Sequence, residues 1–546
     1  MPLSIPDPNT VTTNAAPGNT PSRRFGTARS ASLVAAGIFL SRISGLIRDR
    51  FFAHYFGNSD AADAFKAAIR IPNFLQNLFG EGVLSASFIP VYAALLARKD
   101  KEEAEKTAGA VFSLLALTAS ALVLIGVLAT PWLIELIAPG FSGEKRQLTI
   151  RLVRILVPGA GLLVLSAWCL GILNSHRKFF LSYTAPVIWN AAMIAALIGF
   201  GSRMTQFPLA IALAWAAVVG SALQVGVQWP VVMHLLGHLR LALSYERENV
   251  RIVVRNFFPV FISRGVVQIS AYVDSLIASL LPTGAVAALS YAQTLYTLPV
   301  SLFGMAVSAA ELPAMSGQLG GEEEVARALR ERLDSGLRQI AYFVVPSVVA
   351  FLALGDVVVG AIYQSGRFVH ADVIYVWGIL AGSTVGLLAS TLGRLYSATY
   401  YALRDTRTPL KFSIIRIALT TVLGYLSAVP LPPLLGIASR WGVAGLTISA
   451  GISGWVEFLL LRHYLNKRIG RTGLSVSFAA TIWSLAIAAA GAGWAIRWEI
   501  GPHKPILMAG AVLVPYGIIY IGGTMLLNLP EAKSLGGLFA RFSSRS

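Results

Sequence analysis

Residues 39–52 read FLSRISGLIRDRFF, an apolar run of membrane-span character that nonetheless carries Arg42, Arg48, Asp49 and Arg50. Charges near the centre of such a helix cost roughly 2.5–3.5 kcal/mol each on insertion scales. On a helical wheel Gly37, Ser41, Ser44, Gly45 and Arg48 form one small, polar stripe, with Arg42 and Asp49 on its flank. Leu40, Ile43, Leu46 and Ile47 occupy the other side. The charges therefore face protein or water rather than lipid, and Arg50, near the helix end, is expected to snorkel. A span with an inward polar stripe needs neighbouring spans.

Composition supplies them. The 546 residues are 55% hydrophobic with mean hydropathy +0.67, and only 13% are charged, against about 25% in a soluble protein. Fourteen apolar windows of 18 or more residues follow one another from about Ala31 to Leu527, each long enough to cross the hydrocarbon core. The fold class is an all-α polytopic membrane protein. Its net charge of +18 is not a nucleic-acid footprint, because Lys and Arg collect in alternate connections. Basic stretches are ARKDKEEAEK (97–106), SYERENVRIVVR (244–255), ARALRERLDSGLR (326–338), LRDTRTPLK (403–411) and LRHYLNKRIGR (461–471), whereas LPTG (281–284) and SAVPLPPLLG (427–436) carry no positive charge. The positive-inside rule places the basic connections and both termini in the cytoplasm, which requires an even number of spans. Cys169 is alone, so neither a disulfide framework nor a cysteine metal site is expected. SRRFGTARS (22–30) is read as a topology anchor rather than a twin-arginine signal, because the following segment is charged and lacks an A-x-A site.

Landmarks repeat. FLSR (39–42) returns as FISR (261–264) at an offset of 222, and Pro90 answers to Pro313 at 223. Gly140 matches Gly366 at 226, Pro186 matches Pro409 at 223, and Pro72 matches Pro299 at 227. The reading is two parallel, pseudo-symmetric six-helix bundles, 31–238 and 253–465, related by an axis along the membrane normal. A terminal helix pair (474–528) follows, with cytoplasmic tails at 1–30, expected to be disordered, and at 529–546.

The second span carries a sharper stripe. Asp63, Lys66, Arg70, Asn73, Asn77 and Glu81 step by three or four residues, which confines them to roughly 80° of arc. Pro72 is expected to kink this span. The bland alternative is a self-neutralising ladder that only joins two helices. However, Arg42, Arg48, Arg50, Lys66 and Arg70 outnumber Asp49, Asp63 and Glu81, and surplus cations inside a membrane call for an anion. The matching face of the second half (Ser290, Gln293, Thr294, Thr297, Ser301, Gly304, Ser308, Glu311) is hydroxyl-rich, and Arg264 and Asp274 bring charge to the seventh span. The expected ligand has an anionic head, such as a phosphate gripped by arginine forks, and neutral hydrogen-bonding groups beyond it. Of the arginines, Arg48 with Asp49 is the first choice for the anion site, ahead of Arg42. Walker A, HExxH and GxSxG motifs are missing from the sequence, so no enzyme is expected and energy must come from a gradient or the membrane potential.

The stretch 41–92 strongly resembles the lipid II flippase family MurJ/MviN, of the multidrug/oligosaccharidyl-lipid/polysaccharide exporter superfamily. Ser41, Arg42, Gly45, Arg48, Asp49, Asp63, Ala64, Phe65, Pro72, Asn73, Phe79, Glu81, Gly82, Ser85, Phe88 and Pro90 carry the pattern, and APGF (138–141), YALRDTRTP (401–409) and GVAGL (442–446) extend it. The resemblance implies an inner-membrane flippase with both ends cytoplasmic. It would move undecaprenyl-pyrophosphate-linked disaccharide-pentapeptide to the periplasmic leaflet, with first-bundle arginines on the pyrophosphate and a groove at the last two helices for the tail. Arg42, Arg48, Asp63, Arg70 and Glu81 take binding roles on that basis. The chain departs from the family at Gln76 and Asn77, where a basic residue is usual, and at Ala292-Gln293-Thr294, where an arginine is usual. Arg264 is expected to replace that charge. Some members hold sodium, and Asp274, Val443 and Thr447 match that set, whereas Thr420 and Gly424 do not. Partners expected are lipid II and membrane lipids, with no nucleic acid and a monomeric chain. The rivals are a polysaccharide-repeat lipid flippase or multidrug exporter of the same superfamily, a membrane glycosyltransferase or ligase, and a division scaffold. A drug exporter wants an anionic or aromatic cavity, a transferase a large periplasmic loop, and a scaffold no interior charge.

Overall fold

The computed structural model describes residues 21–79, 81–241, 248–317, 321–501 and 504–533. Among the described residues there are helices and no strands. In the first half α1 (Pro21–Phe56) is followed by a broken span of α2 (Asp60–Ala68), α3 (Arg70–Phe79), α4 (Glu81–Ser87) and α5 (Ile89–Ala97). Then come α6 (Lys101–Leu128), the short α7 (Thr130–Ile137), α8 (Gly143–Ser175), α9 (Phe179–Phe200) and α10 (Gln206–Leu236). The second half has α11 (Glu248–Ser279), then α12 (Ala285–Pro299), which runs through a π-helical turn (Val300–Met305) into α13 (Ala306–Ser316). It continues with α14 (Glu322–Ala353), the short α15 (Gly355–Tyr363), α16 (His370–Ala402), α17 (Arg407–Ala428), the single turn α18 (Leu431–Leu434) and α19 (Gly442–Ile469). The pair α20 (Val476–Ile500) and α21 (Pro505–Leu526) closes the fold.

Twelve helices among the described residues are long and apolar enough to cross a membrane. The charged α1 and α11, at 36 and 32 residues, are long enough to cross as well, which is compatible with the fourteen spans expected. Residues 1–20 of the expected tail lie outside the described residues. Among the described residues α1 already runs from Pro21, ahead of the expected start at 31. Helix pairings recur between the halves: α1 packs on α9 as α11 does on α17, and α8 on α10 as α16 does on α19.

The matched prolines both interrupt their spans. Pro72 has no N–H to return to Ala68, so α2 stops there and Pro72 sits in the first turn of α3, where its missing donor costs nothing. Pro299 ends α12 at the π turn. The sequence DAADAFKAA explains the placement of α2: five alanines let it lie against α8, α10 and α12 with eight residues buried. Ser59 caps it, accepting from the Ala62 amide at 3.2 Å.

Lipid tails are as apolar as leucine, so helices are held by close approach and by polar ties. A Cβ at Gly386 would stand 2.5 Å from the Cα of Gly451, so α16 and α19 touch backbone to backbone. Tyrosines fix the terminal pair: Tyr516 donates to the Pro346 carbonyl and Tyr520 to the Tyr342 carbonyl, both at 2.7 Å. The first residues of the expected 529–546 tail are docked. Arg338 Nε lies 2.7 Å from Glu531 Oε1, and Ala532 is wholly buried.

Candidate functional site

A cavity of about 530 Å³ opens between the halves. The first half contributes Arg42, Arg48 and Asp49 from α1, Lys66 from α2, Asn73 and Gln76 from α3, and Trp189 and Asn190 from α9. The second half contributes Ser290, Gln293, Thr294 and Thr297 from α12. Three cations and one carboxylate thus meet a wall of hydroxyls and an amide. The chain's departures from the family pattern at Gln76, Gln293 and Thr294 fall on this lining.

Asp49 is buried and shared. Its Oδ1 lies 3.0 Å from Arg48 Nη2 and 3.2 Å from Lys66 Nζ. Lys66 also stands over the Phe52 ring at 4.7 Å and the Tyr291 ring at 5.2 Å, which suits an ammonium withdrawn from water. Arg48 Nη1 donates to Asn190 Oδ1 at 3.0 Å, and its guanidinium covers Trp189 at 5.1 Å. Asn190 in turn donates to Ser44 Oγ at 2.9 Å. Much of the donor fork of Arg48, the first choice for the anion, is therefore already committed. Arg42 is exposed in the cavity and pairs with no carboxylate among the described residues.

The remaining expected site residues divide. Arg70 donates to Gln293 Oε1 at 3.2 Å and its carbonyl accepts from the Tyr272 hydroxyl, so it ties α3 to α11 and α12. Asn77 is exposed on α3 but does not line the cavity. Glu81 and Arg264 lie outside the residues whose side chains are described. Asp63, expected among the binding residues, does not line the cavity and instead ties the two halves together like a latch. Its Oδ2 accepts from Lys145 Nζ at 2.6 Å and the Gly284 amide at 2.8 Å, and its Oδ1 accepts from the Ala287 amide at 2.8 Å. The first turn of α2 meets the free amides at the start of α12, and those donors claim the carboxylate. Arg50 does not snorkel. Its Nη1 donates to the carbonyls of Ala361 at 2.5 Å and Ile362 at 2.9 Å, capping the last turn of α15.

The sodium set fits poorly. Val443 is wholly buried, and the Thr447 hydroxyl donates toward the Ile379 carbonyl at 3.1 Å and the Ala444 carbonyl at 3.0 Å. A Cβ at Gly424 would stand 2.7 Å from Leu446 Cδ1, so leucine fills the space a carboxylate would need. Asp274 Oδ1 is buried without a hydrogen-bond partner among the described residues. These residues do not make a sodium cage.

Sequence reading missed Lys145, Trp189 and Asn190. It also missed an ionic group in the second half, where Arg416 Nε lies 3.3 Å from Glu457 Oε2, Ser413 donates to Glu457 Oε1 at 2.6 Å, and Arg394 lies close by. That half is more charged than its α12 face suggested.

The halves touch on both sides of the cavity. On the face opposite the basic connections Asn58 Nδ2 donates to Asp372 Oδ1 at 3.0 Å, and the Arg367 amide donates to the His54 carbonyl at 2.8 Å. Toward the basic face Phe79 meets Phe257 at 5.7 Å and Phe261 at 5.2 Å between ring centroids.

Two helical halves around a polar, cation-rich cavity define a polytopic membrane transporter. The family model described as lipid II flippase MurJ matches residues 52–504, and the chain belongs to that family. It is 31% identical over 483 residues to a probable lipid II flippase MurJ of Rhizobium tropici, covering 87% of each chain. It is 31% identical over 447 residues to the lipid II flippase MurJ of Burkholderia cenocepacia, covering 81% of this chain and 84% of that one. Among solved structures, a lipid II flippase MurJ in an inward closed conformation matches with a TM-score of 0.74 and 24% identity, covering 91% of this chain and all of the other. An inward-facing multidrug MATE transporter shares the fold at a TM-score of 0.60 and 17% identity, over 78% of this chain and 95% of that one.

Proposed function

We propose that this chain flips lipid II, the undecaprenyl-pyrophosphate-linked disaccharide-pentapeptide of cell-wall synthesis, from the cytoplasmic to the periplasmic leaflet of the inner membrane by alternating access. The observation that carries the reading is the cavity lining, with Arg42, Arg48 and Lys66 against the single Asp49 on one side and Ser290, Gln293, Thr294 and Thr297 on the other. Arg42 and the uncommitted donors of Arg48 take the pyrophosphate, and the α12 wall hydrogen-bonds the sugars and peptide. Lys66 holds Asp49 so that the carboxylate does not repel the incoming anion. The head group crosses inside protein while the polyprenyl tail stays in lipid beside the terminal pair.

The two six-helix halves, with both termini cytoplasmic, belong to this proposal, as does a monomeric chain whose partners are lipids rather than nucleic acid. A transporter that makes and breaks no covalent bond needs no catalytic group. Coupling to the membrane potential suits the cavity better than coupling to sodium, since each charge carried gains or loses about 2.3 kcal/mol per 100 mV. The multidrug alternative is disfavoured by the same cations, which repel cationic drugs. The test is complementation of a conditional flippase-depleted strain: rescue of growth and cell shape is expected. Failure by a well-expressed protein that instead restores O-antigen assembly in a suitable mutant moves the assignment to a polysaccharide-repeat flippase.

A further inference from the structure

A second cavity, about 740 Å³ and sharing no lining residue with the first, lies on the face opposite the basic connections, between α15, the start of α16 and the adjoining ends of α20 and α21. Its walls include Trp377, Trp494 and Trp498, and its floor holds Asp356 with Arg497. Trp494 and Trp498 are one turn apart on α20, with ring centroids 6.4 Å apart. Tryptophans at a span end are ordinary interface anchors. The carboxylate beneath them is not. Asp356 is 6% exposed, its Oδ2 takes Arg497 Nη1 at 2.7 Å, and its Oδ1 has no hydrogen-bond partner among the described residues. A buried carboxylate oxygen without a donor calls for a ligand that brings one. Indole faces add a preference for a cation. Arg497, whose side chain is 37% exposed, keeps outward N–H groups for an anion. The pair of demands is specific: an ammonium and a phosphate in one short molecule, at the ends of two helices long and apolar enough to cross a membrane.

We propose that this cavity binds the headgroup of an aminophospholipid. The primary ammonium donates to Asp356 Oδ1 between the indoles, the phosphate rests on Arg497, and the acyl chains leave along α20 and α21. The Trp377 ring N–H is already committed to the Phe351 carbonyl at 3.0 Å, so that ring offers only its π surface. Occupancy would fasten the terminal pair to α15, whose last turn is held by Arg50 of α1, and so links a lipid of that leaflet to the first half.

The test is a native mass-spectrometric titration of the purified full-length protein with dioleoyl phosphatidylethanolamine, phosphatidylcholine and phosphatidylglycerol. Phosphatidylethanolamine should be retained roughly tenfold more tightly than phosphatidylglycerol, the scale of a desolvated cation–π contact. Phosphatidylcholine should fall between, since its ammonium has no N–H. Asp356→Asn should bring phosphatidylethanolamine down to the phosphatidylglycerol level. Trp498→Ala, at a position 80% exposed where truncation spares the fold, should weaken both ammonium lipids and leave phosphatidylglycerol unchanged. Equal retention of the three lipids, or an ammonium preference that survives Trp498→Ala, overturns the proposal. Lipid II is absent from this measurement, so its outcome is independent of the transport reading.

Discussion

The carboxylate of Asp63, in the first half, accepts the backbone amide of Ala287, in the second, at 2.8 Å. With Lys145 and the Gly284 amide it bridges both halves and caps the start of α12, so the contact must break whenever this face opens. Removing one side of a buried, hydrogen-bonded charge costs about 3–5 kcal/mol, enough to invert a two-state balance. Asp63→Asn, which turns an amide donor toward donors, should shift the protein toward the state open on this face. Spin labels at Arg203 and Ile437, in loops of opposite halves, should report a longer distance. An unchanged distance distribution would falsify the latch.

Arg42 and Arg48 should separate under mutation. Arg42 has no carboxylate partner among the described residues, so Arg42→Ala should leave thermal stability unchanged while weakening lipid II binding roughly 10- to 100-fold, the value of one or two charge-assisted hydrogen bonds. Arg48→Ala should weaken binding and also lower the melting temperature, because it strips one of the two cations from buried Asp49. Equal melting temperatures in the two variants would count against this division.

Asn190 positions Arg48 without being charged. Asn190→Ala removes the acceptor at 3.0 Å and the tie to Ser44, freeing the guanidinium to swing. A displacement of this kind lowers transport by roughly tenfold or more. Restoration of flux by Asn190→Asp, which keeps an acceptor for Arg48, distinguishes positioning from a packing defect; no restoration places Asn190 in the packing alone.

The pattern of what sequence showed follows from what decides side-chain direction. Charges inside an apolar run must turn inward, so the α1 stripe was legible from FLSRISGLIRDRFF. Pro72 and Pro299 each remove a helix donor, so a matched break could be suspected from their offset. Pro158, Pro186 and Pro346, however, sit inside unbroken helices, and only the structure separates the two kinds. Lys145 could not be picked out, since a lysine at the start of a span looks like any flanking charge until folding brings the first turn of α8 against α2. Asn190 and the Arg416–Glu457 pair lie on helices whose orientation is set by packing with neighbours distant in sequence. Asp63 shared a helical arc with Lys66 and Arg70, yet the arc could not reveal that α12 begins beside it. The sequence places charges on a stripe, and the neighbours decide which are ligands and which are fasteners.

A pH dependence sits outside the membrane at Asp405. Its Oδ1 accepts the amides of Thr408 at 3.0 Å and Arg407 at 3.1 Å, and its Oδ2 lies 2.8 Å from Arg468 Nη1. The Thr408 amide foremost, then the Thr408 hydroxyl and Arg468, hold the carboxyl below its ordinary value. A depressed carboxylate stabilises the fold above the unfolded value of about 3.9 and loses that contribution as pH falls through the folded one. Asp405→Asn keeps an acceptor for the amides but loses the charge, and should therefore destabilise by about 0.3–1 kcal/mol at pH 7, the scale of a carboxylate at a helix N-terminus, with the difference shrinking in acid. A gap in melting temperature that persists unchanged in acid would exclude the carboxylate as its source.

Gly140 tests the same face as Asp63 by steric means. A Cβ there would stand 2.0 Å from the Ser279 carbonyl oxygen and 2.8 Å from the Leu280 Cα, closer than any real methyl approaches backbone, and backbone cannot turn aside as a side chain does. The state described here therefore excludes alanine at this position, whereas a state with the face open has no Ser279 nearby and accommodates it. Gly140→Ala should fold, since the clash lies between halves rather than within one, but should populate the open state and slow transport sharply by blocking the return. The Arg203–Ile437 label distance should lengthen as it does for Asp63→Asn, and the double variant should add little, because both substitutions remove the same closed state. Strict additivity of the two shifts would show that Gly140 and Asp63 guard different steps.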